Sequence, residues 1–204
     1  MTLDDALAEN GLQVLGHVAA KHLILLGPAG NFWKIFTQSS EYLDEEPDPI
    51  DRWSTRVISA LADQFEAEPF FPFGGPPYAP FLDWALQSGQ ARSSPVGMLI
   101  HDQLGLMVSY RGALKFKANV DHPSATSENP CLTCIDQPCL SACPVDALTK
   151  DGYDTDRCAA YIREKGDQGC MNGCLVRLAC PYSAGAERDP AQSRFHMEAF
   201  LRSR

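Results

Sequence analysis

Apolar residues in the first half of the chain follow two different periods. The runs Leu12–Val18 and His22–Leu26 are nearly continuous, which predicts two strands. Between about Ile50 and Ala67 the apolar residues instead recur at steps of three and four, which predicts a helix with one buried face. The positions that form this face are Ile50, Trp53, Val57, Leu61 and Phe65.

Shorter patterns complete an alternation of helix and strand. Thr2 is expected to cap a helix that ends near Gly11, and a second helix is expected to begin at Asn31. The Pro-rich stretch 69–80 predicts a loop, and a helix is expected to start at 80–86. A C-terminal helix is predicted at 191–201, with Phe195, Ala199 and Phe200 on its packing face. Further strands are predicted at 98–101, 106–110 and 113–116, with turns at Asp102-Gln103 and Arg111-Gly112. The predicted fold class is α+β, with an α/β layer structure in the N-terminal part.

The charge distribution bears on the kind of partner. The chain has 204 residues with 17 basic and 26 acidic side chains, a formal net charge of −9. Residues 1–68 hold 12 of the acidic and 4 of the basic side chains. Phosphate contacts need clustered Lys and Arg, so we expect no nucleic-acid partner.

The apolar runs are too short for a membrane span. The longest, His22–Leu26, stops at Gly27 and falls well below the roughly 20 residues that a bilayer requires. The N-terminus begins Met1-Thr2-Leu3-Asp4-Asp5 and lacks the basic region of a secretory signal. We therefore expect no membrane association, a cytoplasmic location and reduced thiols.

The eight cysteines all lie between residues 131 and 180. This asymmetry predicts a cysteine-free α/β domain at 1–121, a linker at 122–130, and a compact cysteine domain at 131–204 that includes the C-terminal helix. The first group, Cys131 to Cys143, has two, four and three residues between successive cysteines and ends in Cys-Pro. The second group also ends in Cys-Pro and comprises Cys158, Cys170, Cys174 and Cys180.

Eight thiolates in two groups predict two [4Fe–4S] clusters. Thiolates are soft ligands that suit iron–sulfur clusters, and each cube takes four of them, which leaves no cysteine over. Four-cysteine zinc sites are the main alternative, but these usually show two paired Cys-x2-Cys or Cys-x4-Cys knuckles. Disulfides or plain buried thiols are the remaining alternative.

The cysteine pattern resembles that of the bacterial two-cluster ferredoxins, in which the fourth cysteine of each run ligates the other cluster. This resemblance implies a two-[4Fe–4S] ferredoxin-like domain with crosswise ligation. The implied ligands of one cluster are Cys131, Cys134, Cys139 and Cys180. The implied ligands of the other are Cys143, Cys158, Cys170 and Cys174. The chain departs from the ferredoxins in the four residues before Cys139 and in the distance from Cys158 to Cys170.

Two neighbouring stretches are similar to the cluster domain of the epoxyqueuosine reductases, which are cobalamin-dependent enzymes. They are Pro144-Val145-Asp146-Ala147-Leu148 and the segment 156–162, which contains Arg157-Cys158. In that family, an Arg-Cys segment leads into a helix between the cysteine groups. The similarity covers about 50 residues.

The segment 97–114 resembles the hairpin of cobalamin-handling proteins, namely the same reductases and the cobalamin decyanase chaperones. In these proteins an apolar strand ends in Ile-His and a second strand ends in Arg-Gly, and the segment has Ile100-His101 and Arg111-Gly112 at the matching places. The resemblance implies a reduced nitroreductase-like N-terminal domain in which His101, Tyr110 and Arg111 border a corrinoid or flavin pocket. The proton-donating carboxyl group of the reductases has no counterpart at 73–78, so epoxyqueuosine reduction itself is not expected.

More ordinary roles stay open for the same residues. His101 can be a hydrogen-bonded histidine at a strand end, and Arg111 can pair with a surface carboxylate. The sequence 27–30 can turn the chain or bind phosphate, although it lacks the usual phosphate-loop patterns. The aromatic residues between 70 and 84 can pack in the core, cover it as a lid, or stack on a flat cofactor.

Three functions remain. The first is an electron-transfer protein that exchanges electrons between its two [4Fe–4S] clusters and a redox partner protein. The second is a cobalamin- or flavin-dependent oxidoreductase in which the clusters supply a cofactor of the N-terminal domain that acts on a small molecule. The third is a zinc-stabilised interaction protein without redox chemistry.

Overall fold

The computed structural model describes residues 1–120, 122 and 128–204. Of the predicted linker at 122–130, residues 123–127 lie outside the described residues. Helices and strands are both present and occur in groups along the chain, which agrees with the α+β class. The helices are α1 (Leu3–Glu9), α2 (Phe32–Phe36), α3 (Ser40–Leu43), α4 (Pro49–Gln64), α5 (Phe81–Gln87), α6 (Pro130–Thr133), α7 (Thr155–Lys165), α8 (Leu175–Ala179) and α9 (Pro190–Arg202). The strands are β1 (Leu12–Val18), β2 (Leu23–Pro28), β3 (Glu68–Phe70), β4 (Ala91–Ser93), β5 (Leu99–His101), β6 (Gly112–Lys115), β7 (Leu148–Thr149) and β8 (Gly152–Tyr153).

The chain forms two compact units. The first comprises Met1–Ala91 and Ser109–Thr126, and the second comprises Arg92–Val108 and Ser127–Arg204. This division differs from the predicted boundary at residue 121, because the segment 92–108 belongs with the cysteines. The reason is burial: Val96, Ile100 and Leu106 share one apolar core with residues of the second unit. Those residues are Cys139, Val176 and Cys180.

The first unit is built on a four-stranded sheet in the order β1-β2-β6-β3. Its neighbouring strands are all antiparallel, so the predicted α/β description of this part is wrong. The strand β2 lies inside the sheet, and its residues Ile24, Leu25 and Leu26 are completely buried. Burial of both faces explains why this strand is a continuous apolar run in the sequence.

The predicted helix at 50–67 is confirmed as α4, although α4 ends at Gln64. It contacts β3 and β6, and its apolar face is buried except at Phe65, which follows the helix end. Trp53 on this face packs edge to face against Phe32, with 5.2 Å between the ring centroids. The helix α2 therefore contributes to the same core.

The N-terminal predictions are confirmed in detail. Thr2 caps α1 in a reciprocal arrangement: its hydroxyl accepts from the Asp5 backbone N–H, and the Asp5 carboxylate accepts from the Thr2 backbone N–H. The strand β1 has the predicted bounds, Leu12–Val18. Phe32–Phe36 forms the helix expected to start at Asn31, and α5 occupies the predicted helix start near 80.

Other local predictions are wrong. Residues 106–110 form no strand, because protein side chains take the backbone groups that a strand would pair. The Leu106 N–H donates to Ser183 Oγ at 3.2 Å, and Arg177 Nη1 donates to the Leu106 carbonyl at 2.6 Å. Gly112 was predicted to lie in a turn between two strands, but it is the first residue of β6. Residues 69 and 70 were predicted to begin a loop, but they lie in β3.

The second unit contains the strand pairs β4-β5 and β7-β8 together with α6 to α9. The predicted C-terminal helix is confirmed as α9, but its buried residues are Gln192 and Ser193, and the predicted apolar face is only partly buried. Among the described residues, no helix combines the length and the apolar character that crossing a membrane would require.

Candidate metal centre

The first cysteine group lies on an irregular loop with defined turns. Asn129 begins it by accepting from the Cys131 backbone N–H at 3.0 Å, which caps the single turn α6. Gln137 then adopts a left-handed conformation with φ of 37°, and the 3-10 turn Pro138–Leu140 follows. This geometry lets a short stretch of chain curve around a central space, which a regular helix or strand cannot do.

Four of the cysteines line one cavity, which is partly open to solvent. We call them the first quartet: Cys131, Cys134, Cys139 and Cys180. Three come from the loop after Asn129 and one from the end of α8, about 40 residues later in the chain. The other walls include Ser94, Ile100 and Leu106, all from the segment 92–108.

The thiols of the first quartet are close enough to act on one another electrostatically. Burial raises the pKa of the Cys131 thiol, and the neighbouring Cys139, Cys180 and Cys134 thiols raise it further. Burial also raises the pKa of Cys139, and Cys180 and Cys134 add to this, while backbone hydrogen bonds at 139 and 140 oppose it. Four thiolates at this place would repel one another unless a cationic group lay between them.

The remaining cysteines form a second group of electrostatic neighbours, the second quartet: Cys143, Cys158, Cys170 and Cys174. Burial raises the pKa of Cys158, the Tyr153 hydroxyl lowers it through a hydrogen bond, and Cys174 and Cys143 raise it. Burial likewise raises the pKa of Cys170, with further contributions from Cys174, Cys158 and Cys143. Cys143 thus lies in the first cysteine run but among the thiols of the second group.

Backbone N–H groups point at sulfurs of the second quartet. The Ala147 N–H donates to Cys143 Sγ at 3.1 Å. A hydrogen bond from the Leu175 backbone favours the thiolate form of Cys170 and lowers its pKa against the effect of burial. Donors of this kind stabilise negative charge on sulfur.

The helix α8 joins the two quartets. Cys174 directly precedes its first residue, and Cys180 directly follows its last residue, Ala179. Arg177 on the same helix is a partly buried cation beside Cys174, and loss of hydration lowers its pKa while the Cys174 charge opposes this. This short helix is therefore flanked by one candidate ligand from each quartet and carries a positive charge.

Ser94 was not singled out by the sequence. It is more than nine-tenths buried, it lines the cavity of the first quartet, and its Oγ has no hydrogen-bond partner within the described part of the protein. A buried hydroxyl normally has a partner, so this atom fits a group bound in the cavity. No spacing pattern marks a serine 37 residues before Cys131, and only the fold brings the two to one cavity.

The residues predicted to border a corrinoid or flavin pocket fall in different units. His101 lies in the second unit, is 1% exposed, and accepts from the Gln103 backbone N–H at Nδ1 over 3.2 Å. Tyr110 and Arg111 lie in the first unit. There Arg111 Nη1 donates to Asp51 Oδ1 at 3.2 Å, which is the carboxylate pairing that the sequence left open. Burial lowers the pKa of Arg111, and Asp51 opposes this.

The aromatic residues near 70–84 pack on one another. The rings of Phe70 and Trp84 meet edge to face with 5.7 Å between centroids, and Phe81 is buried beside Trp84. Tyr78 is 65% exposed and is not part of this packing core.

All eight cysteines lie in the described part of the chain, and all are free thiols. Within that part, no group of three or more histidine, cysteine or carboxylate side chains is arranged to hold a metal ion. The four thiols of the first quartet nevertheless line one cavity. No protein-family model matches this chain, and no curated protein matches it significantly.

Proposed function

We propose that the second unit binds two [4Fe–4S] clusters and that the protein transfers electrons. The observation that carries this proposal is the cavity lined by the first quartet, whose four thiols come from two separate segments of the chain. The four thiols of the second quartet, which are electrostatic neighbours, would hold the second cluster.

The arrangement of the first quartet fits a cluster better than a zinc ion. Four-cysteine zinc sites usually pair two Cys-x2-Cys or Cys-x4-Cys knuckles. The first quartet instead takes three thiols from one irregular loop and the fourth from the end of α8. The unpartnered Ser94 hydroxyl in the wall of the same cavity can donate to a sulfide ion of a bound cluster.

The residues of the second unit would act in two ways. The cysteine thiolates would hold the iron, and the Ala147 and Leu175 N–H groups would stabilise negative charge on the sulfurs. When bound, each cluster accepts and releases one electron at a time. The apolar core around Cys139 and Cys180 limits access of water to the first cluster.

Metal analysis under anaerobic conditions tests the proposal. We expect about eight irons and eight sulfides per chain, since two cubes contain four of each, and we expect a paramagnetic signal after reduction. Cys134→Ala should reduce the iron content to about four, whereas Ser141→Ala, an exposed serine of the same loop, should leave it unchanged. Anaerobically purified protein that contains zinc, or no metal, would contradict the proposal.

A further inference from the structure

Large apolar side chains are exposed directly beside the ligands of the first quartet. Leu132 follows Cys131 and is 81% exposed, and Ile135 follows Cys134 and is 96% exposed. Leu140 follows Cys139 and is 53% exposed. A single exposed leucine needs no explanation, but three beside three ligands of one site indicate a surface that another molecule covers.

The segment of chain that carries these side chains is acidic. The segment 128–149 contains three acidic residues, Glu128, Asp136 and Asp146, and no lysine or arginine. All three acidic residues are exposed, and Asp136 directly follows Ile135. A cluster held by four thiolates would add further negative charge to this part of the molecule.

We propose that Leu132, Ile135, Leu140 and Asp136 form a docking surface for a redox partner protein whose own redox centre lies under an apolar patch surrounded by lysine and arginine. This inference rests on the proposed function, because it assigns the partner of the first cluster. An apolar contact bounded by opposite charges gives both a dry centre and electrostatic steering.

The position of the surface is what makes it suitable for electron transfer. Tunnelling rates fall steeply with distance, so a partner must approach close to the cluster that it oxidises or reduces. The three apolar side chains are each one residue from a thiol of the first quartet, so a protein resting on them is brought close to the site. The first cluster is therefore the point where electrons enter or leave.

Mitochondrial cytochrome c is a suitable probe, because it is a lysine-rich protein with one redox centre. The protein is loaded with clusters and reduced with dithionite, and the excess reductant is removed. One electron then passes from a reduced cluster to the ferric haem, which becomes ferrous and is followed by its absorbance. Ferricyanide, a small acceptor that needs no docking surface, reports the reactivity of the clusters themselves.

Replacing Leu132 and Ile135 together by Ser should lower the second-order rate constant with cytochrome c about tenfold and leave the ferricyanide rate unchanged. Asp136→Asn should lower the cytochrome c rate and weaken its dependence on salt. Leu82→Ser, at a leucine 67% exposed in the first unit, and Asp63→Asn, at an exposed position of α4, are the matched controls and should change neither rate.

The outcomes separate this inference from the proposed function. Protein that holds both clusters, but whose double variant reacts with cytochrome c as fast as the wild type, overturns the docking surface alone. A wild-type dimer that the double variant makes monomeric also overturns it, since the surface would then bind a second copy of the chain. Protein without iron contradicts both proposals.

Discussion

The buried hydroxyl of Ser94 is placed to adjust the properties of a cluster, if the first quartet holds one as proposed. A hydrogen bond from this hydroxyl to a cluster sulfur would favour the reduced state, which carries the greater negative charge. Ser94→Ala should therefore lower the reduction potential of one cluster by about 20 to 60 mV while the iron content stays the same. A redox titration followed by paramagnetic resonance measures this.

The neighbouring Ser93 offers a control, because it is exposed and does not line the cavity. Ser93→Ala should leave both potentials unchanged. If Ser94→Ala behaves in the same way, the hydroxyl makes no hydrogen bond to the cluster.

In the first unit, Glu41 is a carboxylate whose side chain is only 9% exposed and which is held by a largely exposed arginine. Arg56 donates to both of its oxygens, at 2.5 and 2.9 Å, and these hydrogen bonds lower the pKa of Glu41 to about 2. Arg56→Gln should lower the free energy of unfolding at pH 7 by about 2 kcal/mol, because it leaves the carboxylate without its cation.

The sign of the pH dependence follows from the same pair. The folded pKa of Glu41, about 2, is below its ordinary value of 4.5, so the stabilisation is complete above about pH 4.5 and is lost as the pH falls towards 2. The difference in free energy of unfolding between the wild type and Arg56→Gln should therefore shrink as the pH falls over this range. Denaturant unfolding followed by tryptophan fluorescence measures it, since Trp33, Trp53 and Trp84 all lie in the first unit. Lys34→Gln, which removes an exposed charge, should have the same free energy of unfolding as the wild type.

The helix α8 and the loop before it predict which cysteines would share a cluster. Cys143 belongs to the first run by sequence, but its electrostatic neighbours are Cys158 and Cys170. Double variants separate the two assignments by iron content. Cys143→Ser with Cys158→Ser should remove one cluster and leave about four irons, whereas Cys143→Ser with Cys139→Ser should remove both clusters.

The first pair is the control for the second, because both carry two cysteine substitutions. Equal iron contents in the two double variants would contradict crosswise ligation. Circular dichroism confirms in each case that the first unit retains its structure.

Elements whose pattern is set by their own residues could be predicted from the sequence. The strand β1, the capped helix α1 and the buried face of α4 each follow from local periodicity and from one capping residue. The segment 106–110 could not be predicted in this way. Its backbone partners, Ser183 and Arg177, are more than 70 residues away, and a local apolar pattern carries no information about them.

The cysteines could be picked out as candidate ligands from the sequence, because residue type and spacing are visible there. The extent of the unit that holds them could not. The composition changes near residue 131, but the core around Cys139 and Cys180 recruits Val96, Ile100 and Leu106 from an earlier segment. A boundary drawn from composition alone therefore separates residues that the fold brings together.

This division predicts what removal of the metal does to each unit. Three cysteines, Cys139, Cys170 and Cys180, are themselves buried, so the binding energy of the proposed clusters would also be folding energy of this unit. Anaerobic treatment of the loaded protein with an iron chelator should therefore abolish amide-exchange protection in Arg92–Val108 together with residues 128–204. The first unit contains no cysteine, so its protection and its tryptophan fluorescence should be retained. Mass-spectrometric hydrogen exchange measures both responses in one sample. Continued protection of 92–108 after loss of the iron would show that this segment folds with the first unit, as the composition of the sequence had predicted.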